Sequence, residues 1–138
     1  MHTQILNYLQ SLEPLKRKDL ETLHQHFLNW MPKCKVWFED GLNSEGKVVS
    51  NPNIGYGAYE IKYANGSTRE FFQIGLSANT GGISVYVMGL KDKAYLRDNF
   101  ATKLGKVKVS GYCIKFKQVK DLDLKVLKKV VEYRQSTE

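Results

Sequence analysis

Asn53-Ile54-Gly55-Tyr56-Gly57-Ala58-Tyr59-Glu60-Ile61-Lys62-Tyr63 decides the fold of this 138-residue chain. Two glycines and three tyrosines fall in it, and Ala64-Asn65-Gly66-Ser67, a strong turn signal, follows. The pattern predicts a β-strand over residues 57–63. The strand enters through a backbone segment free to bend and approach its neighbours, and it leaves through a hairpin. Tyr59, Ile61 and Tyr63 face one way along it; Ala58, Glu60 and Lys62 face the other.

Downstream, residues 69–76 read as the returning strand, with Phe72, Ile74 and Leu76 alternating with Phe71 and Gln73. Ser77-Ala78-Asn79-Thr80-Gly81-Gly82 is a second turn, and residues 83–88 form the next strand, with Ile83, Val85 and Val87 opposed to Ser84, Tyr86 and Met88. Three strands joined by short turns predict an antiparallel meander. Upstream, residues 39–52 contain Gly41, Asn43, Ser44, Gly46, Asn51 and Pro52 and read as a long loop after a short strand at 35–38. A loop of that length in a small domain is either mobile or functional.

Helical periodicity brackets this central region. Ile5, Leu6 and Leu9 mark a short first helix; Pro14 suits the first turn of a second, which runs to about Trp30 with Leu20, Leu23, Phe27 and Met31 on one face. Met31-Pro32 stops it, because the residue before proline disfavours helical backbone. Asp92 reads as the cap of a third helix carrying Leu96, Phe100 and Leu104, with Gly105 just past its end. Short strands follow at 107–110 and 112–116. Asp121 or Asp123 caps a last helix with a wide stripe of Leu124, Val126, Leu127, Val130 and Val131. The order α-α-β, meander, α-β-α predicts an α+β fold, an antiparallel β-sheet packed against N- and C-terminal helices. The length fits one domain spanning residues 1–138 with a real core.

Apolar residues make up 42% of the chain and charged residues 25%, which excludes a wholly disordered chain. No apolar run approaches the ~20 residues of a membrane span, and Met1-His2-Thr3-Gln4 opens no signal peptide. The expectation is a cytoplasmic protein without a membrane partner, a monomer or small homo-oligomer, with Cys34 and Cys113 as free thiols.

The net charge of +7 is unevenly placed: residues 1–90 carry 8 basic and 8 acidic residues, and residues 91–138 carry 13 and 6. Such asymmetry marks either an anion-facing surface or a solvating face of lysines. Tyr56, Tyr59, Tyr63, Tyr86, Tyr95 and Tyr112, with Lys62, Lys106, Lys108 and Lys115 near them in the pattern, are the groups that can stack on and neutralise nucleic acid or an anionic small molecule. Arginine, the preferred base reader, occurs only four times.

Catalytic groups are not legible, and no catalytic residue is assigned. His24 and His26 diverge by about 200° on a helix and do not share a metal readily. No C-x-x-C spacing, nucleophile elbow or phosphate loop is present. Gly55-Tyr56-Gly57 lacks a third glycine and opens a strand, so the glycines serve backbone approach. Cys34, between Lys33 and Lys35, is either an activated thiol or a packing residue.

The chain resembles the YdhG-like domain family of small bacterial proteins. The motifs are Ile54-Gly55-Tyr56-Gly57-Ala58-Tyr59 with Tyr63-Ala64-Asn65-Gly66, Gly75-Leu76-Ser77, Val85-Tyr86, Leu104-Gly105-Lys106 with Gly111 and Cys113-Ile114-Lys115, and Asp121-Leu122-Asp123-Leu124 with Leu127. They run from about Val48 to Val131. The resemblance implies an α+β domain with its sheet against helices. Ala78-Asn79-Thr80 replaces the proline and basic residues usual in similar proteins, and Ser50-Asn51 replaces a tryptophan-glycine pair. Some members are described as frataxin-like iron chaperones, a role that relies on acidic surfaces; here it would fall to Glu13, Asp19, Glu21, Glu39 and Asp40.

The expected function is therefore a non-enzymatic binding module for a small anionic ligand or protein partner. Its expected site residues are Gly55, Tyr56, Gly57, Tyr59, Tyr86, Lys106, Lys108 and Lys115, with no cofactor and no metal. Iron binding and nucleic-acid binding are the alternatives.

Overall fold

Alternation of large apolar residues over 53–56, 74–79 and 82–87 builds the centre of the molecule. In the computed structural model, which describes residues 2–137, β1 (Val36–Glu39), β2 (Asn53–Tyr56), β5 (Ile74–Asn79), β6 (Gly82–Val87), β8 (Cys113–Phe116) and β7 (Lys108–Ser110) lie side by side in that order in one antiparallel sheet. A separate two-stranded ribbon pairs β3 (Tyr59–Lys62) with β4 (Thr68–Phe71).

The register sorts the side chains. Phe38, Ile54, Leu76, Val85 and Ile114 stand in one row across the sheet. Ile54, Leu76, Val85 and Ile114 are fully buried in the apolar cluster that also takes in the helices, and Phe38, partly buried, packs against it. Those helices are α1 (His2–Gln10), α2 (Pro14–Trp30), α3 (Tyr95–Phe100) and α4 (Leu124–Ser136). α2 buries Leu20, Leu23 and Phe27, with Met31 just past its end; α4 buries Leu127, Val130 and Val131. The next row, Trp37, Gly55, Gly75, Tyr86, Cys113 and Ser110, points away from that cluster, as does the row Ser77, Ser84, Lys115 and Lys108. The chain is thus α+β, with helices against an antiparallel sheet.

The expected strand over 57–63 differs in one respect. Gly57 sits at φ +78° and breaks the run, so Asn53–Tyr56 joins the main sheet and Tyr59–Lys62 leaves it. Phe72 and Gln73 break the returning strand at the matching point, giving β4 and β5. One long hairpin therefore kinks into a ribbon and a pair of sheet strands. β5 pairs with β2, where the meander had placed the strand 57–63 beside it. α3 is also shorter than its apolar spacing suggested, ending at Phe100, and turns carry the chain on to Leu104. Asp92 does not cap it directly; its carboxylate accepts from the Ala94 N–H one turn earlier.

Among the described residues no helix is long and apolar enough to cross a membrane.

Candidate functional site

The eight expected site residues separate into four places. Tyr56 lies on the core face of β2 and is fully buried, its hydroxyl 2.6 Å from His24 Nδ1. Burial raises its phenol well above the ordinary value. Gly55 faces the other way, under the Phe72 ring. Gly57 donates its N–H to Lys35 O at 2.8 Å and accepts from Trp37 Nε1 at 2.7 Å. These three hold the β1–β2 edge together.

Tyr59 belongs to the ribbon. With Lys62, Lys91, Glu60 and Glu70 it lines a cleft of about 610 Å³ backed by Arg134. Arg134 is buried, stacks on the Tyr59 ring at 4.9 Å, and donates Nε–H to Met88 O and Nη1–H to Thr137 Oγ1. Cations and carboxylates share this cleft, so its charge is mixed.

Lys106, Lys108 and Lys115 do come together. Residues 105–107 splay away from β8 because Gly105 bridges to Leu122 instead. The gap is a cleft of about 770 Å³ whose wall is Ile83, Val107 and Phe116. Lys106, Lys108, Lys115 and Lys117 line it, with Asp121 as the one carboxylate. Lys108 and Lys115 are direct cross-strand partners, and all four lysines are exposed. Among the described residues none of the four forms a salt bridge. Like charges placed directly opposite each other are destabilising, and among the described residues no salt bridge to either lysine offsets this.

Tyr86 sits on β6 two residues beyond Ser84, the partner of Lys115. Its ring centroid is 6.0 Å from that of Tyr112, tilted by 32°. Burial first, then neighbouring Cys113, raises its phenol. The strand order puts β2 four strands from β7, roughly 19 Å at about 4.8 Å per strand. Gly55 and Tyr56 therefore do not share the lysine cleft.

Lys117 was missed by sequence reasoning. Its signal was present: Lys106-Val107-Lys108 and Lys115-Phe116-Lys117 each set two lysines astride an apolar residue. Alternation along an extended segment sends the two lysines of each to one side, and Lys108 and Lys115 meet across the β7–β8 pair.

The remaining groups are engaged elsewhere. Burial raises the Cys34 thiol, so its lysine neighbours do not activate it. Cys113 is buried and raised likewise. Glu13 caps α2 at the Lys16 N–H, Asp19 accepts from the Val119 N–H at 3.2 Å, and Asp40 accepts from the Leu42 N–H. Among the described residues no three His, Cys, Asp or Glu side chains are grouped to hold a metal ion.

Compared with protein-family models, with curated proteins and with solved structures, the chain finds no match.

Proposed function

We propose that the protein is a cytoplasmic binding module for a small anionic ligand, held in the cleft of Lys106, Lys108, Lys115 and Lys117. One observation carries the reading: Lys108 and Lys115 oppose each other directly, without a carboxylate partner among the described residues, over an apolar wall of Ile83, Val107 and Phe116. An anion entering between them removes the repulsion and gains charge-assisted hydrogen bonds. The apolar wall suits the non-ionic part of the same molecule. Among the described residues no Ser, Thr, Cys or His lines the cleft, which favours binding over turnover. We also carry membership of the YdhG-like family as a proposal, resting on the motifs quoted above.

Calorimetric titration with inorganic pyrophosphate at low salt tests the site. Saturable binding is expected, weakened at least tenfold in a Lys108→Glu, Lys115→Glu double variant. Losing one hydrogen bond to a charged group, worth about 1.5–3 kcal/mol, accounts for that factor. Absence of saturable heat, or equal binding by the variant, overturns the proposal.

A further inference from the structure

Lys108 and Lys115 stand on the face of β7 and β8 turned away from the helices, in the row that continues to Ser84 and Ser77. The neighbouring row on that face holds Tyr86, opposite Cys113. Lys115 is two residues from Cys113, about 7 Å along the strand. Tyr112, 54% exposed, leans toward Tyr86 from the β7–β8 turn. Among the described residues the core-forming side chains of β6 and β8, Ile83, Val85, Ile114 and Phe116, belong to the opposite rows, and on this face Ser77, Ser84 and Cys113 are buried while Lys108, Lys115 and Tyr112 are exposed. The exposed lysines thus lie on the same face as an aromatic pair, of which Tyr112 is exposed and Tyr86 half-buried.

We propose that this face binds single-stranded nucleic acid, with phosphates following Lys106, Lys108, Lys115 and Lys117 and bases stacking on Tyr86 and Tyr112. The inference rests on the anion-binding reading of the cleft and names its ligand class. Three features select a single strand. Stacking needs bases with free faces, which a duplex hides. The side chains next to the lysines on this face, Ser84 and Ser110, are too short to reach base edges inside a duplex groove. The cations are lysines, point charges that follow a backbone and read no base edge, so binding is sequence-tolerant.

Fluorescence anisotropy with a labelled oligothymidylate of about twelve nucleotides, a length within the range one small domain covers, tests this. Binding is expected at low salt. Its logarithmic salt slope should be roughly −2 to −3, the value for three or four neutralised phosphates on a single strand. Tyr112→Leu and Tyr86→Leu should each weaken the oligonucleotide about tenfold, the size of one lost base–aromatic stack. Tyr86→Phe should restore it, and pyrophosphate affinity should be unchanged in all three. Since Tyr86 is half-buried, the exposed Tyr112 variant decides if Tyr86→Leu fails to fold. Pyrophosphate binding without oligonucleotide binding overturns this inference and leaves the small-anion reading standing. Loss of both overturns both. Oligonucleotide binding that the tyrosine variants leave intact, or that polyglutamate or a duplex of equal length matches, shows a general polyanion surface and also overturns it.

Discussion

A glycine stands at position 55 because the Phe72 ring lies against its Cα. A Cβ there would fall 2.6 Å from that ring. Gly55→Ala should therefore push Phe72 off the sheet and destabilise the protein by about 1–3 kcal/mol, the range for overpacking. Chemical denaturation checks this, with the costs of Gly55→Ala and Phe72→Ala expected to be less than additive in the double variant. Tyr56, the next residue, looked from the sequence like a ligand contact. Its place in the period-2 pattern with Ile54 sends it into the core, where it meets Phe27 at 5.0 Å between ring centroids and the His24 ring nitrogen. The sign of its pH effect follows. The unfolded phenol ionises near pH 10, and the folded one ionises well above that. Below pH 10 both states are neutral and the folded state keeps its full stability. As pH rises toward the folded value the unfolded chain ionises first, and stability falls. Tyr56→Phe should cost about 1 kcal/mol at neutral pH through the lost hydrogen bond. Its deficit should narrow above pH 10, as read from melting temperatures across alkaline pH. A deficit that stays constant would mean the hydroxyl does not remain protonated in the fold.

At the scale of elements, the strongest periodicities were the most legible. α2 spans the expected Pro14–Trp30, and the residues placed on its inner face, Leu20, Leu23, Phe27 and Met31, are all buried. For α4 two caps were open, Asp121 and Asp123. The structure selects Asp123, whose carboxylate accepts from Lys125 and Val126 N–H at 3.0 and 3.3 Å, while Asp121 closes the preceding 3-10 turn (Val119–Asp121). Asp123→Ala should cost about 1 kcal/mol, measurable by denaturation, and Asp121→Ala should cost less. The break at Gly57 was less legible. A glycine within a strand pattern signals a bulge or a close approach, but only the tertiary fit decides which. Here the Gly57 N–H is taken by Lys35 just ahead of β1 and its C=O by the Trp37 side chain of β1, and an added Cβ would collide with the Gln73 side chain. Local pattern gives the two half-strands; pairing across residues distant in sequence separates them.

At the scale of the molecule, charge is where sequence and structure meet. The excess of basic residues after position 90 was visible, but the separation of expected site residues was not, because strand order rather than sequence distance sets it. β2 and β7 stand at different depths of one sheet, so Gly55 and Tyr56 part from the lysines they appeared to serve, while the β7–β8 hairpin brings Lys108 opposite Lys115. That opposition has a measurable cost. Lys108→Glu turns a repulsive cross-strand pair into an attractive one, and opposite charges there contribute roughly 0.2–1 kcal/mol. It also lowers the formal net charge from +7 to +5, since one positive charge is replaced by one negative. The variant should therefore unfold at a higher denaturant concentration than the natural protein while binding pyrophosphate more weakly. Lys117→Glu faces no lysine in register and should weaken binding with a smaller gain in stability. Stability gained as binding is lost is the expected mark of a site held against local electrostatics for its ligand. If Lys108→Glu leaves stability unchanged and binding intact, the lysines serve as a solvated surface and the cleft holds no anion.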